Sequence, residues 1–409
     1  MLSRQRSPIG TSARGALYYF FFYGASAAYV PFFSVFLARK GLSGSEIGLL
    51  MAIGPLMAFL VAPSLTALAD RHGWRVRMLC VSLAAMALIL LIVPLPDSFA
   101  GLLPVMAVLS LVGSPIGPIA DGLVARMSSR RGLSYGKMRL WGSLSWAAVA
   151  AIGGALWQEM GFFFMFPFAA LLILLTIPLA RLLEEDGPTE AHAKPSVRVV
   201  MSGGKMRVLL VATLAMGLCM SVGATFAGIY LDQLGGGQLL VGLFAGVTAA
   251  SELPIMHWSD PIMRRFGGPW TLVLSYVLFG GSYLGLVLIK EPALLLLVAV
   301  IQGIGFGLFL PTTVRLVADW TPPEWSSTSQ GVLSAGMWGL APLIAGPLGG
   351  SVYDAWGAEA VFLLCVAAAA VAALVIVIAY LAGVFAFRGD VPVGDQVSPT
   401  NNEVSATDN

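Results

Sequence analysis

The sequence predicts an all-α membrane protein: twelve transmembrane helices in two pseudo-symmetric six-helix halves, with both termini cytoplasmic. Three observations predict it. The 409 residues are 58% hydrophobic and only 11% charged, where a soluble domain carries about a quarter charged residues. The mean hydropathy is +0.86. Apolar stretches long enough to cross a bilayer recur along nearly the whole chain, and Lys and Arg are gathered on alternate connections.

The stretches lie near 15–37, 46–69, 76–95, 100–125, 134–157, 161–183, 208–231, 239–258, 270–289, 293–317, 328–352 and 360–387. They are continuous rather than alternating ten-residue segments, so helices are expected and not a barrel. Lipid offers no hydrogen-bond partner to the backbone, which makes the helix the way to satisfy each segment internally. The first stretch follows Arg4, Arg6 and Arg14 and contains Ala25-Ser26-Ala27, which could pass for a cleavage site. It runs on apolar to Leu37, so it is read as a retained span.

With the N-terminus inside, 20 of the 23 Lys and Arg fall on the cytoplasmic side, and only Arg39, Lys40 and Lys290 fall outside. The longest internal polar stretch divides the chain. The expected units are residues 1–183 as the first half, 184–207 as a cytoplasmic central loop, 208–387 as the second half and 388–409 as a disordered cytoplasmic tail. A formal net charge of +2 gives no reason to expect nucleic acid as a partner. Cys80, Cys219 and Cys365 each lie in an apolar run and make no CxxC, so they read as buried hydrophobes. No metal-ligand spacing is present. No nucleophile–base set is present either, so an enzyme is not expected.

The two halves repeat each other weakly. "ADRHGWRVRML" (69–79) and "RRFGGPWTLVL" (264–274) align Gly73 with Gly267 at an offset of 194 residues. The same offset sets "WGSLSW" (141–146) beside "AGMWGL" (335–340). Paired halves around a midplane site are a transporter architecture. Asp70, Arg71, Gly73 and Arg75 also resemble the loop signature G-x-x-x-D-R-x-G-R-R of the major facilitator superfamily, with Thr66 and Val76 departing from it. Such charges at helix ends can latch one state and release in another.

Charges within the spans mark candidate function. Asp121 lies six residues before the expected helix end near Met127 and Arg139 five after the expected helix start near Ser134, at similar depth, so pairing is expected. Ser143 and Trp146 follow Arg139 at i+4 and i+7 on one face. An acceptor, a fork of donors, a hydroxyl and an indole plate suit a polyhydroxylated ring or an aromatic carboxylate. Glu252 is a second intramembrane acid, a candidate to carry a proton. Gln302 is a candidate hydrogen-bonding group in the tenth span. Tyr29 is a candidate for lining the cavity. Asp232 and Asp354 are expected to be solvated at outer helix ends, and Arg315 to snorkel at an inner one.

The stretch "SRRGLSYGKMRLWGSLSW" resembles the helix 4–5 region of the lactose permease-like proton symporters for oligosaccharides, nucleosides and phenylpropionate. The acid Asp121, the turn Tyr135-Gly136-Lys137-Met138-Arg139-Leu140-Trp141-Gly142 and Trp146 carry that pattern. "AYVPFFSVFL" (28–37) and "VTAASEL" (247–253) extend it. The resemblance implies substrate binding by Asp121, Arg139 and Trp146, and proton coupling with the helix 8 acid, here Glu252. It implies no cofactor beyond the coupling proton, a monomer in a bacterial inner membrane, and uptake of a small polar solute. The Lys/His/Glu cluster of lactose permease helix 10 is missing, with Gln302 in its place. A proton antiporter exporting a drug or metabolite shares this architecture and stays open as the alternative.

Overall fold

The structure, a computed structural model, describes residues 10–185, 203–322 and 325–385. The expected tail at 388–409, most of the expected central loop, and the cations Arg4, Arg6, Lys194, Arg198 and Arg388 lie outside the described residues. All regular structure among the described residues is helical. In the first half these are α1 (Thr11–Arg39), α2 (Gly44–Leu60), α3 (Ala62–His72), α4 (Arg75–Leu90), α5 (Phe99–Gly113), α6 (Ile116–Arg130), α7 (Tyr135–Met160) and α8 (Met165–Arg181). In the second they are α9 (Gly204–Leu231), α10 (Gly237–Phe266), α11 (Gly268–Leu288), α12 (Leu295–Trp320), α13 (Ser326–Ser334) and α14 (Ala341–Leu381).

Nine helical runs among the described residues are long and apolar enough to cross a membrane, so the chain is a multi-pass, all-helical membrane protein. Two of the nine are far longer than one crossing needs. The run Gly204–Phe266 turns at Gly235, and the run Thr328–Leu381 turns at Gly357. Both glycines have positive φ, 84° and 81°, which a side chain would strain. The helix α4, with 16 residues, is shorter than a full span. The repeat seen in sequence has a backbone counterpart, since Gly73 and Gly267 both end helices with positive φ, 66° and 82°.

Local sequence explains the entries. Ser43 and Glu46 form a reciprocal capping box at the start of α2. Ser134 accepts the Lys137 N–H and so starts α7, the helix that carries Arg139. Asp70 and the buried Arg75 (1% exposed) pair across the Gly73 turn, while Arg71 is exposed. The Trp157 indole, 1% exposed, donates to the Ala28 carbonyl at 2.9 Å and ties α7 to α1.

The halves meet along α7 with α10 and α2 with α14. Arg39 at the end of α1 binds Asp232 just past the end of α9, so these two helices run the same way. We call that end of the bundle distal, and the end where α1 and α9 begin terminal. At the distal end helix backbones touch. Gly48 lies against the Gly346 carbonyl, and a Cβ on Gly44 would come within 2.9 Å of the Gly350 carbonyl. A Cβ on Gly154 would come within 2.7 Å of the Gln238 carbonyl. Small residues let helices approach to this degree.

Candidate functional site: a cavity between the halves

Between the halves, next to the distal contacts, lies a cavity of about 400 Å³. That is the size range of small-molecule sites. Helix α7 supplies Arg139, Ser143 and Trp146, helix α10 supplies Thr248 and Glu252, and α12 supplies Gln302. The i, i+4, i+7 spacing read in the sequence therefore turns all three α7 residues toward one space. Aromatic and small residues fill most of the remaining wall, among them Phe244, Phe279 and Phe306.

Arg139 is held by ring faces. Its Cζ lies 3.9 Å from the Tyr23 centroid and 5.5 Å from that of Tyr19. Such stacking suits a guanidinium, whose N–H edge stays available. Gly142 makes the stack possible, because a Cβ there would lie 2.7 Å from Tyr23 Cδ2. Among the described residues no hydrogen bond or ion pair engages the Arg139 guanidinium, and none engages the Glu252 carboxyl.

The expected Asp121–Arg139 ion pair is not among the ion pairs of the described residues. Asp121 does not line the cavity. Its Oδ1 accepts the Tyr19 hydroxyl at 2.6 Å, and that hydroxyl lies 3.3 Å from Tyr135 Oη. Tyr19 is 1% exposed and stands one turn from Tyr23, ring centroids 6.0 Å apart. Asp121 is thus one layer behind the Tyr23–Arg139 stack. Sequence spacing could not show that helix α1 would set Tyr19 against the acid and Tyr23 against the base.

Other candidates are placed as follows. Tyr29 is outside the cavity lining and packs edge-on to Phe33. Asp232 and Asp354 are not merely solvated. Asp232 takes both donors of Arg39 at 2.6 and 3.1 Å. Asp354 accepts from the Gly44 and Ser45 N–H groups and the Ser45 hydroxyl at 2.6 to 2.8 Å. Arg315 pairs with Asp319 one turn along its own helix. Three polar or phenolic cavity residues were missed, Tyr23, Tyr283 and Thr248. The run of Tyr and Phe at 18–23 was the available signal for the first; nothing local distinguishes the second.

Comparison with known proteins agrees with this architecture. Maltose permease of Geobacillus stearothermophilus is 29% identical over 350 residues, covering 85% of this chain and 89% of that protein. Sugar efflux transporter A of Dickeya chrysanthemi is 24% identical over 358 residues, covering 86% and 91%. The crystal structure of the nucleoside transporter NupG superposes with a TM-score of 0.80 at 13% identity, over 91% of this chain and 99% of that one. The family model described as MFS_1 like matches residues 14–364. The chain belongs to the MFS_1 like family, and it is a membrane transporter of small-molecule solutes, not an enzyme.

Proposed function

We propose that this transporter takes up a small polar solute, such as a sugar, nucleoside or aromatic acid, together with a proton by alternating access. The observation that carries this reading is the placement of Arg139 and Glu252 in one cavity between the halves, neither engaged by a hydrogen bond among the described residues. A fixed cation supplies donors to solute oxygens, and a carboxyl in the facing half can take up and give back a proton. In this reading Arg139, Ser143, Trp146 and Gln302 hold the solute and Glu252 is the coupling group. Asp121 serves through Tyr19, and Asp70, Arg71, Gly73 and Arg75 form a latch at the terminal end.

The same reading takes the chain across the membrane twelve times, counting the turns at Gly235 and Gly357 and the short α4. It puts both termini on the cytoplasmic side of a bacterial inner membrane, and the transporter works as a monomer. The maltose permease relative supports a sugar as the first solute to try. The sugar efflux relative supports the second reading, export by proton antiport.

The test is proton movement in proteoliposomes containing a trapped pH dye. Maltose added outside should acidify the lumen with the wild-type protein. Glu252→Gln should abolish acidification yet keep exchange of labelled for unlabelled maltose. Proton movement intact in Glu252→Gln would overturn the coupling role. Solute moving opposite to the proton would establish export instead.

A further inference from the structure

The second-half wall of the cavity carries a polar pair made from three helices. Gln302 Nε2 on α12 donates to Tyr283 Oη on α11 at 2.9 Å. Both residues line the cavity, but unequally: Gln302 is half-buried, whereas Tyr283 is only 1% exposed. The Tyr283 ring is fixed on one side by Phe362, at a centroid distance of 6.2 Å and an interplanar angle of 13°. Its hydroxyl lies against Gly223 of α9, where any Cβ would overlap it. The hydroxyl position is therefore set by packing that does not depend on a solute.

An unrestrained glutamine amide facing a cavity can turn end for end, and a solute hydroxyl would meet a carbonyl or an amino group at random. A phenol can accept from the amide N–H or donate to the amide oxygen, so the bond to a fixed hydroxyl limits where the amide can sit, and in the arrangement observed its N–H end is the one engaged. The other edge then faces the cavity. Arg139 on the opposite wall can only donate. Gln302 held in this way keeps its carbonyl oxygen and one N–H for a solute hydroxyl, which both donates and accepts.

We propose that Tyr283 is a positioning residue for Gln302, and that the two form a hydroxyl-reading subsite facing Arg139, kept open by the absence of a side chain at Gly223. The inference rests on the reading that the cavity binds the transported solute.

Maltose binding to purified protein, measured by calorimetry beside thermal melting, tests it. Gln302→Leu should weaken binding about tenfold, or ~1.4 kcal/mol. Tyr283→Phe keeps the ring and removes the hydroxyl, and should weaken binding about threefold with melting unchanged. Gly223→Ala, which displaces the hydroxyl, should match Tyr283→Phe. The Tyr283→Phe and Gln302→Leu double variant should bind no more weakly than Gln302→Leu alone, since the phenol acts only through the amide. Wild-type affinity in Tyr283→Phe, or losses that multiply in the double variant, would overturn the proposal.

One readout needs no solute. Gln302→Cys, in a chain whose three cysteines are changed to serine, should react with a water-soluble maleimide, and failure to react overturns the subsite. If wild-type protein binds neither maltose, uridine nor 3-phenylpropionate, the uptake reading fails and the maleimide result alone decides the subsite.

Discussion

At the distal end of the bundle, the Arg39 guanidinium reaches from the first half to Asp232 in the second, and the Asp354 carboxylate reaches back to the start of α2. Gln158 accepts the Leu239 N–H between α7 and α10. At the terminal end, Asp70–Arg75, Arg131–Glu184 and Arg315–Asp319 each join residues of the same half. Between described residues, every hydrogen bond that crosses the halves lies at the distal end. The contrast separates two kinds of polar contact. The distal ones that cross the halves hold a state and must break when the halves rock apart, whereas Lys40–Asp97 and Lys290–Glu359, also distal, stay within one half. The terminal pairs Asp70–Arg75, Arg131–Glu184 and Arg315–Asp319 each lie within one half in this state, which leaves the Asp70–Arg75 pair available to the latch. The glycine contacts make the distal seal depend on shape as well as on charge, because Gly48 and Gly346 leave no room between two backbones.

The largest break in this contrast should come from shape. Gly48→Leu cannot fit against the Gly346 carbonyl, so the distal end should stay open and maltose uptake should fall below about a tenth of wild type. Cysteine labelling at the distal mouth should rise in the same variant. Arg39→Ala removes the two-pronged bond across the halves. Arg39 is about half exposed and the pair is screened, so the gain in distal labelling should be only a few-fold.

Asp354 gives a smaller effect with a definite sign. Burial pushes its carboxyl up, but the bonds from the Ser45 hydroxyl and the Ser45 and Gly44 N–H groups outweigh this and hold it below its ordinary value. A carboxylate with a lowered value in the sealed state stabilises that state above the ordinary carboxylate value of about 3.9. The stabilisation is lost as pH at that face falls through the lowered value. Distal labelling should therefore rise in acid, and Asp354→Asn should be about twofold more labelled at neutral pH and lose the acid response. Smallest of all, Arg315→Ala breaks an exposed pair within one helix and should change neither labelling nor uptake beyond error. A strong effect there would erase the distinction between the ends.

Much of the site is legible because helical periodicity is local. Arg139, Ser143 and Trp146 need only the 3.6-residue turn to share a face, and an acid such as Glu252 inside an apolar run stands out by composition. What is not legible depends on contacts between distant segments. Asp354 finds its partners 309 and 310 residues away, and they are mostly backbone amides that carry no sequence signature. Tyr19 intervenes at Asp121 from 102 residues away. The role of Gly223 depends on a tyrosine from another helix. The turns at Gly235 and Gly357 fall between stretches that hydropathy reads as separate, 208–231 and 239–258, and 328–352 and 360–387.

The most direct test of the account is a pair of spin-label distances in membranes. One pair, at Asp97 and Glu359, spans the distal end, and the other, at Ser129 and Arg264, spans the terminal end; all four positions are exposed. Each is measured in the parent protein and in Gly48→Leu, with and without maltose. The account predicts that opening the seal lengthens the distal distance and shortens the terminal one. Distances that stay fixed at both ends, or lengthen together, would contradict alternating access about the Arg139–Glu252 cavity.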